Sequence, residues 1–260
     1  MSRLPIVFFG HGSPMIALEK SDVTKTWNEM ATRIGKPRAI LCISAHWQTR
    51  GTAVTAMAQP RTIHDFGAFP QALFDVQYPA PGDPELAARV KELLAPMPVG
   101  LDANWGLDHG TWSVLVHAYP EADVPVIQLG MDIAKTPAEH WLVGRMLRPL
   151  RDEGVLIMGT GNIVHNLPAM DWANPAAAPY PWAEQFNTAM CQAIAGDDPR
   201  TVIDYEALGE AARLSVPTSD HFLPLLYVLG ARHEGENARF DPHFIQHKSL
   251  SMTSVLIDEA

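Results

Sequence analysis

The sequence predicts an α/β fold: a single domain over residues 1–260, with a largely parallel or mixed central sheet flanked by helices on both faces. Two observations predict it. Short apolar runs that end at glycine or polar residues alternate along the chain with stretches of helical spacing. No internal repeat, low-complexity tract or charged linker divides the chain. With 260 residues, 47% of them hydrophobic and 18% charged, such a chain buries on the order of 70–75% of its unfolded surface.

Taken in order, Pro5 to Phe9 is a continuous apolar run closed by Gly10, the pattern of a strand buried on both faces. Ser21 can cap a helix that runs to Ile34 and stops at Gly35. Arg38 to Ser44 repeats the buried-strand pattern, whereas Thr52 to Met57 is β-branched and alternating, as befits a strand nearer an edge. Glu85 to Leu94 places Leu86, Val90, Leu93 and Leu94 on one helical face. Val124 to Leu129 is a third buried strand. Thr136 and Pro137 then open a helix carrying Trp141, Leu142 and Met146. Gly154 to Met158 is a fourth buried strand, with a glycine turn after it. Helices are expected over Pro181–Ile194, Glu206–Leu214 and Ser219–Leu229, and an edge-type strand over Ser251–Ile257. The proline-rich tracts at 79–84 and 168–181 read as loops over the one domain.

Charge and motifs exclude several classes. Nineteen Lys and Arg against 29 Asp and Glu give a net charge of -10, which argues against a nucleic-acid or anionic-membrane partner. Two cysteines, Cys42 and Cys191, make no disulfide framework or zinc ribbon, so a reducing, cytoplasmic setting is expected. Leu4 to Phe9 leads into Gly10-His11-Gly12 without a signal-peptide cleavage pattern, and no apolar run is long enough to span a bilayer. GxSxG, HExxH and P-loop motifs are absent, and Gly159 to Val164 breaks the dinucleotide fingerprint. Cys42, mid-strand in apolar company, reads as core.

Histidine is the unusual residue, with 11 in the chain. Ligands in open α/β sheets collect beyond the carboxyl ends of strands. His11, His46 and His165 lie at or soon after three such ends, His221 opens an apolar helix, and His109 sits in a Gly-Leu-Asp-His-Gly-Thr-Trp stretch. One such histidine is ordinarily a polar residue satisfied by a backbone hydrogen bond; several on matching strand ends point to a metal site assembled by the fold. His64, Phe66 and Phe69 share an aromatic loop that could cover a pocket, and are candidate substrate contacts. His117 and His140 fall in helical patterns and His233 in an exposed loop. For His243 and His247, before the last strand, a structural role is expected.

Six pieces carry a family resemblance in the right order: GHGSPM at 10–15, SAHW at 44–47, HDFGAFPQALFDVQYPAPGDP at 64–84, GLDHGTW at 106–112, GTGNIVHNL at 159–167 and SDHFLPLLYVLGA at 219–231. The sequence resembles the DODA-type (4,5-DOPA) extradiol aromatic ring-opening dioxygenases of the class III, LigB-like superfamily, over essentially its whole length. The resemblance implies one divalent metal per chain held by His11, His46 and His221. It makes His165 the acid/base histidine, near enough to serve as a fourth ligand, and His109 a catalytic histidine lining the pocket. The family's catalytic metal is mononuclear non-haem Fe(II), although bacterial members of this branch can be isolated with zinc. Protocatechuate-type relatives place a glutamate where this chain has His221. Three neutral imidazoles leave the ion's charge uncompensated, which favours a dianionic catecholate and also suits zinc.

The expected substrates are a DOPA- or caffeate-like catechol and O2. A histidine near its ordinary pKa of about 6.5 can both take a catechol proton and return it. Asp65, Asp108 and Asp220 each neighbour a candidate histidine and could orient it; Asp220 could equally cap the helix that follows. Two other readings are a zinc-dependent hydrolase, which lacks an HxxE-type base here, and a non-catalytic metal-binding relative. The sequence leaves open the cleavage position and whether the chain is a monomer or a homodimer.

Overall fold

A computed structural model describes residues 3–259. The strands, in chain order, are β1 (Ile6–Gly10), β2 (Ala39–Ser44), β3 (Gln48–Thr49), β4 (Thr52–Thr55), β5 (Val99–Asp102), β6 (Val126–Asp132), β7 (Val155–Gly161), β8 (Asn237–Phe240), β9 (Ile245–Gln246), β10 (Leu250–Ser251) and β11 (Val255–Asp258). The helices are α1 (Asp22–Ile34), α2 (Gln71–Phe74), α3 (Pro84–Leu93), α4 (His109–Ala118), α5 (Pro137–Met146), α6 (Pro149–Asp152), α7 (Pro181–Ala195), α8 (Pro199–Ile203), α9 (Glu210–Ser215) and α10 (Leu223–Gly230).

Nine strands form one mixed sheet in the order β5-β4-β6-β2-β7-β1-β11-β8, with β3 paired to β6 off that path. Its centre, β6-β2-β7-β1, is parallel; β11 and β8 continue antiparallel on one side, and β4 runs antiparallel to β6 on the other. Central strands buried on both faces explain the unbroken apolar runs. Ile6 and Phe8, Leu41 and Ile43, Val155 and Ile157 face one core with α3, α5, α7 and α10. Val7 and Phe9, Ile40 and Cys42, Leu156 and Met158 face the other, against Trp27 and Met30 of α1 and Trp112 and Leu115 of α4. The fold class is thus the expected one, and helices cover both faces.

Several boundaries differ, each for a physical reason. β7 continues through Gly159 to Gly161, where a turn was expected, because ladders with β1 and β2 hold it on both sides. Its glycines also admit the chain packed above: a Cβ on Gly161 would run into the carbonyl of His221. The Glu206–Leu214 helix is broken at Gly209, whose φ of 67° no helix accepts; a 3-10 turn at Tyr205–Leu208 precedes it and α9 follows. The Ser219–Leu229 helix starts only at Leu223, leaving Asp220 and His221 in the preceding turn. The Ser251–Ile257 strand is split between β10 and β11. β4 and β11 are each second from an edge, and the outermost strands, β5 and β8, carry the exposed positions. Among the described residues, no helix is long and apolar enough to cross a membrane.

Candidate active site

The parallel centre of the sheet sends β1, β2 and β7 toward one end, and the histidine-bearing segments follow directly. His11 comes one residue after β1 and donates its backbone N–H to Gly161 O at 3.1 Å. Asn162 Nδ2 donates to His11 O (2.5 Å) and Ser251 O (2.8 Å), while its backbone N–H donates to His221 O (2.8 Å). One buried asparagine therefore ties together three segments carrying site residues. His46 lies two residues beyond β2, its N–H donating to Ser44 Oγ (3.2 Å). His109 opens α4, and Gly110 beside it is required by a close approach: a Cβ there would sit 2.6 Å from His46 Cδ2.

Five imidazoles converge. His11 Nε2 and His46 Nε2 are 3.1 Å apart, and the ring nitrogens of His11, His46 and His109 share a 4.8 Å cluster. A second such cluster joins His165, Asp220 and His221. The two sets are contiguous, since the His221 ring lies 5.4 Å from that of His11 and 5.0 Å from that of His46. His165 stacks on His221 at 3.5 Å, with 5° between the planes.

Carboxylates hold two of these rings from behind. Asp220 Oδ2 accepts a short hydrogen bond from His221 Nδ1. This fixes the tautomer and leaves Nε2 with its lone pair. The turn before α10 makes the bond available, and Asp220 does not cap that helix. Asp65 grips His109 twice, accepting its backbone N–H at 2.9 Å and lying 2.9 Å from Nδ1. The same carboxylate is 3.8 Å from His46 Nδ1, beyond hydrogen-bond reach. Asp108, by contrast, orients no histidine: it caps α4 through Thr111 N–H and accepts from Ser44 Oγ (2.6 Å) and Gln128 Nε2 (2.7 Å).

The electrostatics favour the neutral form of His11, His46 and His165. Burial, reinforced by neighbouring histidines, holds His11 and His46 well below the ordinary histidine value. Burial and His221 lower His165 to about 3. For Asp65, burial works upward, but the hydrogen bonds and charge of His109 outweigh it and bring the carboxyl down. Asp220 is likewise held low against its burial by His221 and Thr218. Neutral imidazole is the form that binds metals. His11 Nδ1 is buried without a hydrogen-bond partner. Buried, neutral nitrogens in van der Waals range, backed by carboxylates, are a donor set that fits a divalent cation.

Above the histidines lies a cavity of about 330 Å³. Phe66 and Phe69 line it, their rings 5.2 Å apart, with Phe66 5.5 Å from the His109 ring. His64 does not line it: its Nε2 is taken by Val76 O (2.9 Å), and its ring packs behind Phe66 against Trp112. Residues that sequence reasoning gave no site role complete the wall, namely Leu167, Met170, Trp172, Gln246, His247 and Leu250. The one available signal was a tryptophan in an otherwise Pro- and Ala-rich loop. His117 bonds Ile16 O and His140 bonds Tyr227, both away from the site. His243 contacts Asn187, and His233 is half-buried rather than exposed.

Comparison with known proteins agrees with this geometry. The profile of the catalytic LigB subunit of aromatic ring-opening dioxygenases matches residues 5–256. The chain belongs to the LigB family. It is a metal-dependent extradiol ring-opening dioxygenase, an oxidoreductase that takes an aromatic substrate and O2. It is 48% identical to the 4,5-DOPA dioxygenase extradiol of Escherichia coli K12, covering 98% of this chain and 95% of that one. It is 39% identical to the enzyme of the same name from Beta vulgaris, covering 95% and 96%. A crystal structure of an uncharacterized E. coli K12 protein superposes with a TM-score of 0.86 at 43% identity, covering 98% of this chain and all of that one. The hydrolase and non-catalytic readings are not favoured by membership in this family.

Proposed function

We propose that this LigB-family dioxygenase opens the ring of a catechol with a polar side chain, DOPA- or caffeate-like, at one Fe(II) held by His11, His46 and His221. The observation that carries the reading is the His11–His46 nitrogen pair at 3.1 Å, with His221 fixed by Asp220 beside it. When bound, Fe(II) would supply adjacent open coordination positions for the two catechol oxygens and O2 and an electron path between them.

The chain's own residues do the rest. Phe66 and Phe69, packed edge to face against each other, form one apolar wall of the cavity and keep bulk water off the reacting carbons. His165, held neutral with its ring face against His221, accepts a proton from a catechol hydroxyl. Burial and His221 hold His165 below the ordinary value near 6.5 expected from the sequence, so it gives a proton back to the ring-opened product more easily than it takes one up. His109, oriented by Asp65 at its Nδ1, presents Nε2 as a lone pair and is the second group that can accept a substrate proton. A cytoplasmic location follows the cysteine usage and is part of this proposal.

The test loads metal-free protein anaerobically with Fe(II) or Zn(II) and then admits oxygen with a DOPA- or caffeate-like catechol. The Fe(II) form should consume oxygen and make a yellow ring-opened product, while the Zn(II) form should do neither. Equal turnover with zinc, independent of oxygen, would overturn the assignment.

A further inference from the structure

The cavity has a direction. Its histidine floor is buried, with His11, His109 and His221 only 2%, 6% and 7% exposed, whereas Trp172 at its other end is 64% exposed. A catechol with its two oxygens at the floor must send its ring substituent toward this rim. The rim is built. β9 and β10 form a hairpin whose turn residues His247 and Lys248 both take left-handed backbone conformations, with φ of 51° and 68°. Such conformations are costly for non-glycine residues and persist where surrounding structure imposes them. Here the clamp is the 171–180 loop: His247 N–H donates to Pro175 O (2.9 Å), Asp171 N–H to His247 O (3.1 Å) and Tyr180 N–H to Lys248 O (3.1 Å).

The clamp also fixes the chemistry of the His247 ring. Its Nδ1 lies 2.9 Å from Asp171 O. A carbonyl can only accept, so Nδ1 carries the hydrogen and the neutral ring presents Nε2 as a lone pair. Gln246, also on the cavity wall, adds an amide. The Trp172 ring lies 5.7 Å from that of His247. Among the described residues, no lysine or arginine lines this cavity. Acceptor atoms, an aromatic face and no fixed cation suit a protonated amine.

We infer that Gln246, His247 and Trp172 form a subsite for a cationic amino group on the side chain of the catechol. This rests on the ring-opening reading for the orientation of the substrate. His247 Nε2 accepts a hydrogen bond from the ammonium, and Trp172 covers it from the solvent side. The subsite thus distinguishes amine-bearing catechols from those that carry only a carboxylate.

The experiment measures dissociation constants by calorimetry under anaerobic conditions, so that binding is read without turnover. Three ligands are compared on the metal-loaded protein: 4-methylcatechol, a catechol with an aminoethyl chain, and one with a carboxyethyl chain. His247→Ala should cut the preference for the amine over 4-methylcatechol on the order of tenfold, the scale of one hydrogen bond to a charged group. His247→Gln, which keeps an acceptor, should recover part of it. Trp172→Leu, at an exposed position that leaves the hairpin alone, should lower the same ratio several-fold. Equal weakening of all three ligands, or a loss confined to the carboxylate, would overturn the subsite. Failure of the wild-type protein to open any ring would count against the ring-opening reading alone and leave the binding comparison standing.

Discussion

Asp220 makes the short hydrogen bond that presents His221 to the site, and His165 stacks on the same ring. Replacing Asp220 by asparagine leaves size unchanged but allows the amide to donate to Nδ1, which favours the wrong tautomer. Asp220→Asn should therefore weaken metal binding about 10–100-fold, the usual cost of losing a carboxylate behind a ligating histidine. Competition with a calibrated chelator measures this, and unchanged affinity would exclude the orienting role. At this scale the sequence was partly legible. Histidines at strand ends stand out because the apolar runs that precede them are unmistakable. What lay hidden was which carboxylate serves which ring. Asp108 adjoins His109 in sequence yet caps α4, while Asp65, 44 residues away, holds His109. Sequence neighbours at a helix start point in different directions, so adjacency did not reveal the pairing. His247 lines the cavity and His64 packs behind its wall for the same reason: a loop's path, which periodicity does not encode, decides which ring faces the cavity.

α10, which follows the His221 turn, packs closely against α5. α5 and α10 cross at glycines: a Cβ on Gly144 would run into Tyr227 O, and one on Gly230 into Trp141 O. Gly144→Ala must push the helices apart, at a cost of about 1–3 kcal/mol or more for overpacking. At this chain length that corresponds to a fall in melting temperature of roughly 2–4 °C per kcal/mol. Differential scanning calorimetry checks it, and a variant with wild-type Tm would refute the close crossing. The four central strands could be read directly because each is apolar on both faces. β5 and β8 could not: Val99–Asp102 and Asn237–Phe240 lie at the sheet edges with solvent on one side, and their composition is that of loops. Helix caps at Ser21 and Thr136 were legible because the side-chain oxygen that bonds the third helical N–H is a local device.

At the scale of the whole molecule, the same burial that readies histidines for a metal makes the metal-free fold sensitive to acid. His11, His46, His140 and His165 all have folded pKa values below the ordinary 6.5, His140 at about 4 through burial and Lys135. Between pH 6.5 and 4 the unfolded chain binds protons that the folded chain refuses, so stability is full above that window and falls as pH drops through it. For His140 alone, buried against Tyr227, the loss is about 3 kcal/mol. Urea unfolding of the metal-free protein should thus weaken steadily from pH 6.5 to 4. The slope should be shallower in His140→Gln, and an identical slope would contradict this assignment. The negative net charge argues against a nucleic-acid partner and bears little on the substrate, because a bound divalent ion would dominate the local field. If this histidine-lined floor opens a catechol as proposed, both atoms of O2 end in the product. Mass spectrometry of the ring-opened product, made by the Fe(II)-loaded protein under 18O2, tests it most directly. Two labelled atoms should enter one product molecule, less any lost by exchange at an aldehyde, with no label from 18O-water at the carboxylate. A product carrying oxygen only from water, or intact catechol with full iron occupancy, would contradict it.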